Sequence, residues 1–103
     1  MEEEKVAYRK KDIIEILRDL NMIVVSLDRI GSEWSNRKND EEFHALSSNF
    51  VTDWDVTRKL LKARRILDEA FSRELGEDEM DELEREFQDI QYWSINNPSP
   101  NNK

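Results

Sequence analysis

The first apolar stretch of the chain decides the fold; it reads IIEILRDLNMIVVSLDRIGSEW and runs from Ile13 to Trp34. Its large apolar side chains recur in alternating steps of three and four residues, which places them along one side of an α-helix. They are Ile13, Ile16, Leu20, Ile23, Leu27, Ile30 and Trp34, with Leu17 and Val24 beside them. The spacing predicts a long first helix from Tyr8 to Arg37.

The apolar arc of this helix is wider than a single contact seam needs. Four residues are expected to point inward: Leu20, Ile23, Val24 and Leu27. Three others lie well outside that stripe: Ile14, Met22 and Val25. Such a helix either lies centrally, with a short second helix across it, or presents a surface to another copy of the chain. We expect the covered arrangement, and a homodimer through the three outer residues is the alternative.

The rest of the chain also has helical signals. Asn39-Asp40-Glu41-Glu42 has the side chains of a capping box and predicts chain reversal near residue 39, followed by a short helix within residues 41–49. Ser, Asn and Thr side chains predict a break near residues 49–52. A second capping box at Thr52-Asp53-Trp54-Asp55 predicts a helix over residues 53–75, with Trp54 closing the core.

A fourth helix is expected from Asp78 to Trp93. Gly76 is the residue able to adopt a left-handed conformation between this helix and the one before it. The apolar stripe of the fourth helix consists of Met80, Leu83, Phe87 and Ile90.

These elements predict an all-α fold. Only two Gly and two Pro occur, and both Pro lie in the last six residues. Short connections favour antiparallel neighbours, so we expect an up-down antiparallel bundle of three long helices plus one short helix. Residues 1–95 are expected to form a single helical domain with the first few residues frayed, and residues 96–103 a disordered tail.

The negative charge is concentrated near the C-terminus. The chain has 24 Asp and Glu against 16 Lys and Arg, a net charge of −8. Eight of the acids and only one cation, Arg85, lie in the thirteen residues from Glu77 to Asp89. Such a density of charge either keeps the outer face of a helix solvated or attracts a cationic partner. The residues predicted to bind a partner are Glu79, Asp81, Glu82, Glu86, Asp89, Tyr92 and Trp93.

Tyr92 and Trp93 have two alternative placements. If the last helix persists past Ile90, they lie on its outer surface within the acidic rim and resemble interface anchors. If the helix ends near residue 91, the tail folds them over the end of the bundle.

Several function classes find little support. The chain has no Cys, which excludes disulfides and thiolate zinc sites and gives no reason to expect an oxidising compartment. His44 is the only imidazole, and Gly31 and Gly76 stand alone rather than in a phosphate-binding loop. No apolar run approaches the roughly 18 residues of a membrane span. We therefore expect a cytoplasmic protein with no enzymatic activity, cofactor, metal, membrane partner or direct nucleic-acid partner.

These observations predict a small acidic protein-binding module. Its expected role is that of an inhibitor, or an immunity or antitoxin-like protein, that covers a basic surface of a toxin, nuclease or other effector. This expectation rests on an analogy of composition and fold class. The alternative is a structural or regulatory module that self-associates through the first helix.

Overall fold

A computed structural model of the protein describes residues 3–99. Its helices are α1 (Lys10–Arg37), α2 (Asp40–Asp53), α3 (Val56–Asp68) and α4 (Glu82–Glu86). The three long helices pack together, and the described residues contain no named strand, which confirms the all-α prediction. Contacts divide the chain into two units, one ending at Ala70 and one beginning at Phe71. The first two residues and the last four of the expected tail lie outside the described residues.

The reversal between α1 and α2 has the predicted position and cap. α1 ends because Lys38 adopts a left-handed conformation with φ of 53°, and its N–H donates to the Trp34 carbonyl. The Asn39 side chain then accepts a hydrogen bond from the Glu42 N–H at 3.0 Å. This bond satisfies one of the free amide groups at the start of α2.

The second and third helices differ from the prediction. α2 continues through residues 49–52, where a break was expected, and carries Phe50 into the core. The break falls at Trp54 and Asp55 instead. The predicted capping box before α3 is wrong, because Asp55 is the N-cap, has a left-handed φ of 52° and makes no side-chain cap bond.

The core lies where the three long helices meet. Ile23 of α1, Phe50 of α2 and Val56 at the start of α3 form one buried cluster. Met22 and Ile30, both partly buried, pack against it. Tertiary burial of Phe50 therefore outweighs the weak helix preference of the residues that precede it.

Polar contacts join α1 to the other two helices on both sides of this core. Near the reversal, the Trp34 indole N–H donates to an Asp40 carboxylate oxygen at 2.8 Å. Towards the start of α1, Lys62 of α3 forms an ion pair with Glu15. Just before α1, the Tyr8 hydroxyl donates to a carbonyl of α3 at 2.6 Å.

The inward face of α1 was predicted only in part. Ile23 is buried as expected, but Leu20, Leu27 and Val24 are 36%, 48% and 64% exposed. The helices α2 and α3 approach α1 along the line of Ile16, Ile23 and Ile30, so the neighbouring apolar line is left uncovered. The expectation that Trp54 closes the core is also wrong, because its side chain is 57% exposed.

The last two predicted helices are much shorter than expected. α3 ends at Asp68 rather than at residue 75, and α4 covers only Glu82–Glu86 instead of Asp78–Trp93. A longer α4 would place many like charges three and four residues apart, which destabilises a helix. The left-handed residue before α4 is Glu79, with φ of 63°, and not Gly76. The short helix is thus the last one and not the second.

Candidate functional site: an acidic segment with exposed aromatic residues

A compact turn precedes α4. The Gly76 N–H donates to the Met80 carbonyl at 2.9 Å, and the Glu79 N–H donates to the Gly76 carbonyl at 3.0 Å. Arg85 closes the turn with a two-pronged ion pair to Asp78, in which Nε and Nη2 lie 2.9 and 3.0 Å from the two carboxylate oxygens. The same Nη2 donates to the Met80 carbonyl at 3.0 Å. Arg85 therefore fixes the shape of this segment.

The pKa values of the ion pair reflect this geometry. Hydrogen bonds from the Arg85 guanidinium, and then from the Met80 N–H, lower the pKa of Asp78 to about 2. The same carboxylate raises the pKa of Arg85. Asp78 is therefore ionised at neutral pH, and its charge is compensated within the turn.

Three further acids accept hydrogen bonds from backbone amides. Asp81 is the N-cap of α4 and accepts from the Glu84 N–H at 2.9 Å, while the Glu84 side chain accepts from the Asp81 N–H at 3.2 Å. Glu82 accepts from the Ser72 N–H at 3.4 Å. Negative charge at the start of a helix also interacts favourably with the helix dipole. Asp81 and Glu82, both predicted to bind a partner, are therefore also structural residues.

The other predicted acids are exposed. Glu79, Glu86 and Asp89 all face solvent, as does Glu77. They occupy the turn before α4, its last residue and the turn after it. Charges spread over so short a segment lie within about two Debye lengths of one another and produce one negative field.

Tyr92 and Trp93 follow neither predicted placement. The helix that was expected to carry them ends at Glu86, and their side chains are 69% and 72% exposed rather than packed. Phe87 and Ile90, assigned to a buried stripe, are 48% and 45% exposed. The dense negative charge of residues 77–89 is the sequence signal that disfavours a long helix here. It could have predicted that the apolar residues of this segment are exposed. The segment thus combines exposed acids with exposed aromatic and aliphatic side chains.

The three α1 residues proposed for self-association do not share one environment. Ile14 and Val25 are 47% and 39% exposed. Met22 packs against the buried cluster of α1, α2 and α3, so a substitution there would perturb the core. A more exposed line on α1, formed around Leu17 and Val24, was expected to lie inside or beside the core.

Two further observations concern metal ions and membranes. Within residues 3–99, no group of three His, Asp or Glu side chains is arranged to hold a metal ion. In the same part of the chain, no helix has the length and apolar character needed to cross a membrane.

Comparison of the chain with known protein families, curated proteins and solved structures finds no match.

Proposed function

We propose that the chain is a small acidic protein-binding module that recognises a basic surface of another protein through its acidic segment, defined as residues 77–93. One observation carries this proposal: exposed acids and two exposed aromatic side chains occupy the same short segment. Isolated exposed acids are common on soluble surfaces, but Tyr and Trp at 69% and 72% exposure leave much apolar area in water. Tyr and Trp are also enriched at the centres of protein interfaces.

The two kinds of side chain have different roles in this proposal. Glu79, Glu86 and Asp89 attract the cationic partner over distances of about a Debye length and so raise the association rate. Tyr92 and Trp93 lose water when the complex forms, and their burial slows dissociation. Asp81 and Glu82 contribute charge while they hold α4 in place.

The proposed biological role is that of an inhibitor or an immunity or antitoxin-like protein in the cytoplasm. A partner that binds nucleic acid or an anionic substrate has a basic functional face, and an acidic segment would cover it. The absence of cysteine fits a reducing compartment. The partner is a protein and not a nucleic acid, because a net charge of −8 opposes contact with phosphates.

For the path of the chain, we infer that α2 and α3 both run back along α1, antiparallel to it and in the same direction as each other, and not in the up-down alternation expected from the sequence. The order of the contacts supports this path. Trp34 near the end of α1 meets Asp40 at the start of α2, whereas Tyr8 just before α1 meets Leu67 near the end of α3. Residue numbers therefore fall along α1 as they rise through α2 and α3.

A charge-reversal experiment tests the proposed interface. The tagged chain is used to capture its partner from the lysate of the native host, and the association rate with the purified partner is then measured at several salt concentrations. The test variant replaces Glu79, Glu86 and Asp89 by Lys, which spares the residues that cap and brace α4. We expect at least a tenfold lower association rate for this variant, and a steep fall of the unmodified chain's rate with salt.

A matched variant controls for net charge. Replacing Glu3, Glu4 and Glu41, three exposed acids remote in sequence from the segment, by Lys gives the same net charge as the test variant. The association rate of the control is expected to stay within about threefold of that of the unmodified chain. Both variants should keep the helical circular dichroism of the unmodified chain. Equal losses in the two variants, or an association rate that ignores salt, would refute the proposal.

A further inference from the structure

α1 carries an exposed apolar stripe in addition to the line that packs on α2 and α3. We define the α1 stripe as Ile13, Leu17, Leu20, Val24, Leu27 and Trp34. Leu17, Val24 and Leu27 are 57%, 64% and 48% exposed. The residues follow steps of four, three, four and three, and Gly31 continues the same spacing before Trp34. This is the heptad spacing by which one α-helix packs along another.

The packed line of α1 has a separate position on the helix. Ile16, Ile23 and Ile30 recur every seven residues and contact the other helices or the buried cluster. The residues of the α1 stripe from Ile13 to Leu27 point to a neighbouring side of the helix. The two apolar lines therefore differ in their environment: α2 and α3 cover the first, whereas Leu17, Val24 and Leu27 of the second stay largely exposed. Trp34, at the end of the stripe, also contacts Asp40 and Phe43 of α2.

The size of the stripe matches an interface between proteins. From the exposed fractions, the stripe presents roughly 400–500 Å² of apolar surface over about 30 Å of helix. A stable interface buries about 800 Å² from each partner, of which somewhat more than half is apolar. The stripe supplies that apolar share without any contribution from the acidic segment.

We propose that the α1 stripe is the interface of a homodimer, in which α1 of one copy packs antiparallel along α1 of a second copy. The heptad spacing favours a partner helix that has the same repeat, because each apolar residue then fits between residues of that helix. Each copy would then bury both sides of α1, one against its own α2 and α3 and the other against its partner. This inference goes beyond the proposed function of the acidic segment and is independent of it.

The charges beside the stripe favour the antiparallel order. Lys10 occupies the position that continues the stripe towards the start of α1, and Asp28 flanks the stripe near its other end. A parallel pairing in register would place Lys10 of one copy against Lys10 of the other. An antiparallel pairing instead places each Lys10 towards the half of the partner helix that carries Asp28.

Two adjacent valines provide a matched test of the interface. Val24→Glu places a charge in the stripe, whereas Val25→Glu makes the same change at an exposed site about 100° further around the helix. Molar mass is measured by light scattering at about 100 µM for the full chain and both variants. We expect a mass of twice 12.4 kDa for the unmodified chain and for Val25→Glu, and 12.4 kDa for Val24→Glu. A monomeric unmodified chain, or a dimeric Val24→Glu variant, would overturn the proposal.

Further measurements separate loss of the dimer from loss of the fold and establish the order of the helices. If Val24→Glu loses its helical circular dichroism, the midpoint of thermal unfolding of the unmodified chain must rise with protein concentration, and a constant midpoint overturns the proposal. The chain has no cysteine, so a nitroxide on Lys11→Cys labels one site in each copy. With the axis placed at Leu20, midway between Ile13 and Leu27, the antiparallel order predicts labels separated by about 27 Å along the helices. A separation below about 15 Å, as a parallel pair gives, would overturn that order.

Discussion

Replacement of Phe50 by alanine is the most direct test of the core that joins α1, α2 and α3. Phe50 is 7% exposed and shares one buried cluster with Ile23 and Val56. Removal of a buried phenylalanine ring costs about 3–5 kcal/mol, which combines lost burial with the cavity that remains. The cluster has few fully enclosed neighbours, so the site can collapse in part, and we expect a loss near the lower limit, about 3 kcal/mol.

This loss is large for so small a unit. At roughly 0.05–0.15 kcal/mol per residue, the 70 residues up to Ala70 have a free energy of unfolding of about 4–10 kcal/mol. A loss of about 3 kcal/mol removes about 30% or more of that stability. It corresponds to a fall of roughly 12–24 °C in the midpoint of thermal unfolding, since 1 kcal/mol shifts a domain of this size by about 4–8 °C.

Urea unfolding followed by circular dichroism at 222 nm measures the effect, with every variant at the same protein concentration. Val51→Ala is the control, because Val51 is the next residue of α2 and is 42% exposed. We expect the control to lose less than about 1 kcal/mol. If Phe50→Ala loses no more stability than the control, Phe50 does not fill a core and α2 does not pack on α1 through this side chain.

Three other predictions concern the turn, the helix cap and the proposed interface. Asp78 has a folded-state pKa of about 2, below its ordinary value of 3.8, so the ion pair with Arg85 stabilises the turn above about pH 4 and is lost as pH falls towards 2. An NMR titration of the Asp78 carboxyl should show this low midpoint, and Arg85→Gln should return it towards 3.8; an unshifted midpoint in the unmodified chain would contradict the ion pair. Asn39→Ala should cost about 1 kcal/mol in urea unfolding, because the start of α2 loses its cap, and no change would show that the bond to Glu42 contributes nothing. Trp93→Ala should raise the dissociation rate from the partner at least about 30-fold, as a hot-spot residue does, while an unchanged rate would remove Trp93 from the interface.

Local sequence signals predicted α1 and its end correctly. The α1 boundaries and the Asn39 cap depend on residues within one or two turns of each other. Such local signals can be interpreted from the sequence without knowledge of tertiary contacts. The break between α2 and α3 was placed several residues too early. Ser47, Ser48 and Asn49 disfavour a helix on their own, but Phe50 gains more from burial against Ile23 than those residues lose.

Composition identified the acidic segment, but the sequence did not predict its conformation. Periodicity alone favoured a helix from Asp78 to Trp93, because Met80, Leu83 and Phe87 have helical spacing. The structure instead uses Arg85 to hold Asp78 across a turn, a contact over seven residues that neither periodicity nor a capping pattern predicts. That these residues bind a partner therefore stays a prediction. They lie on the turn before α4, on the single helical turn of α4 and on the exposed chain that follows it.

The inward face of α1 could not be chosen from the sequence for a physical reason. Two apolar lines run along this helix, one through Ile16 and Ile23 and one through Leu17 and Val24, and each satisfies helical spacing equally well. Only the approach of α2 and α3 decides which line is covered, and that approach depends on Phe50 and Val56 far along the chain. The exposed parts of the Leu and Val side chains on the second line gain no burial energy in a monomer. The second line is therefore the observation behind the proposed dimer, and the comparison of Val24→Glu with Val25→Glu tests whether another copy of the chain covers it.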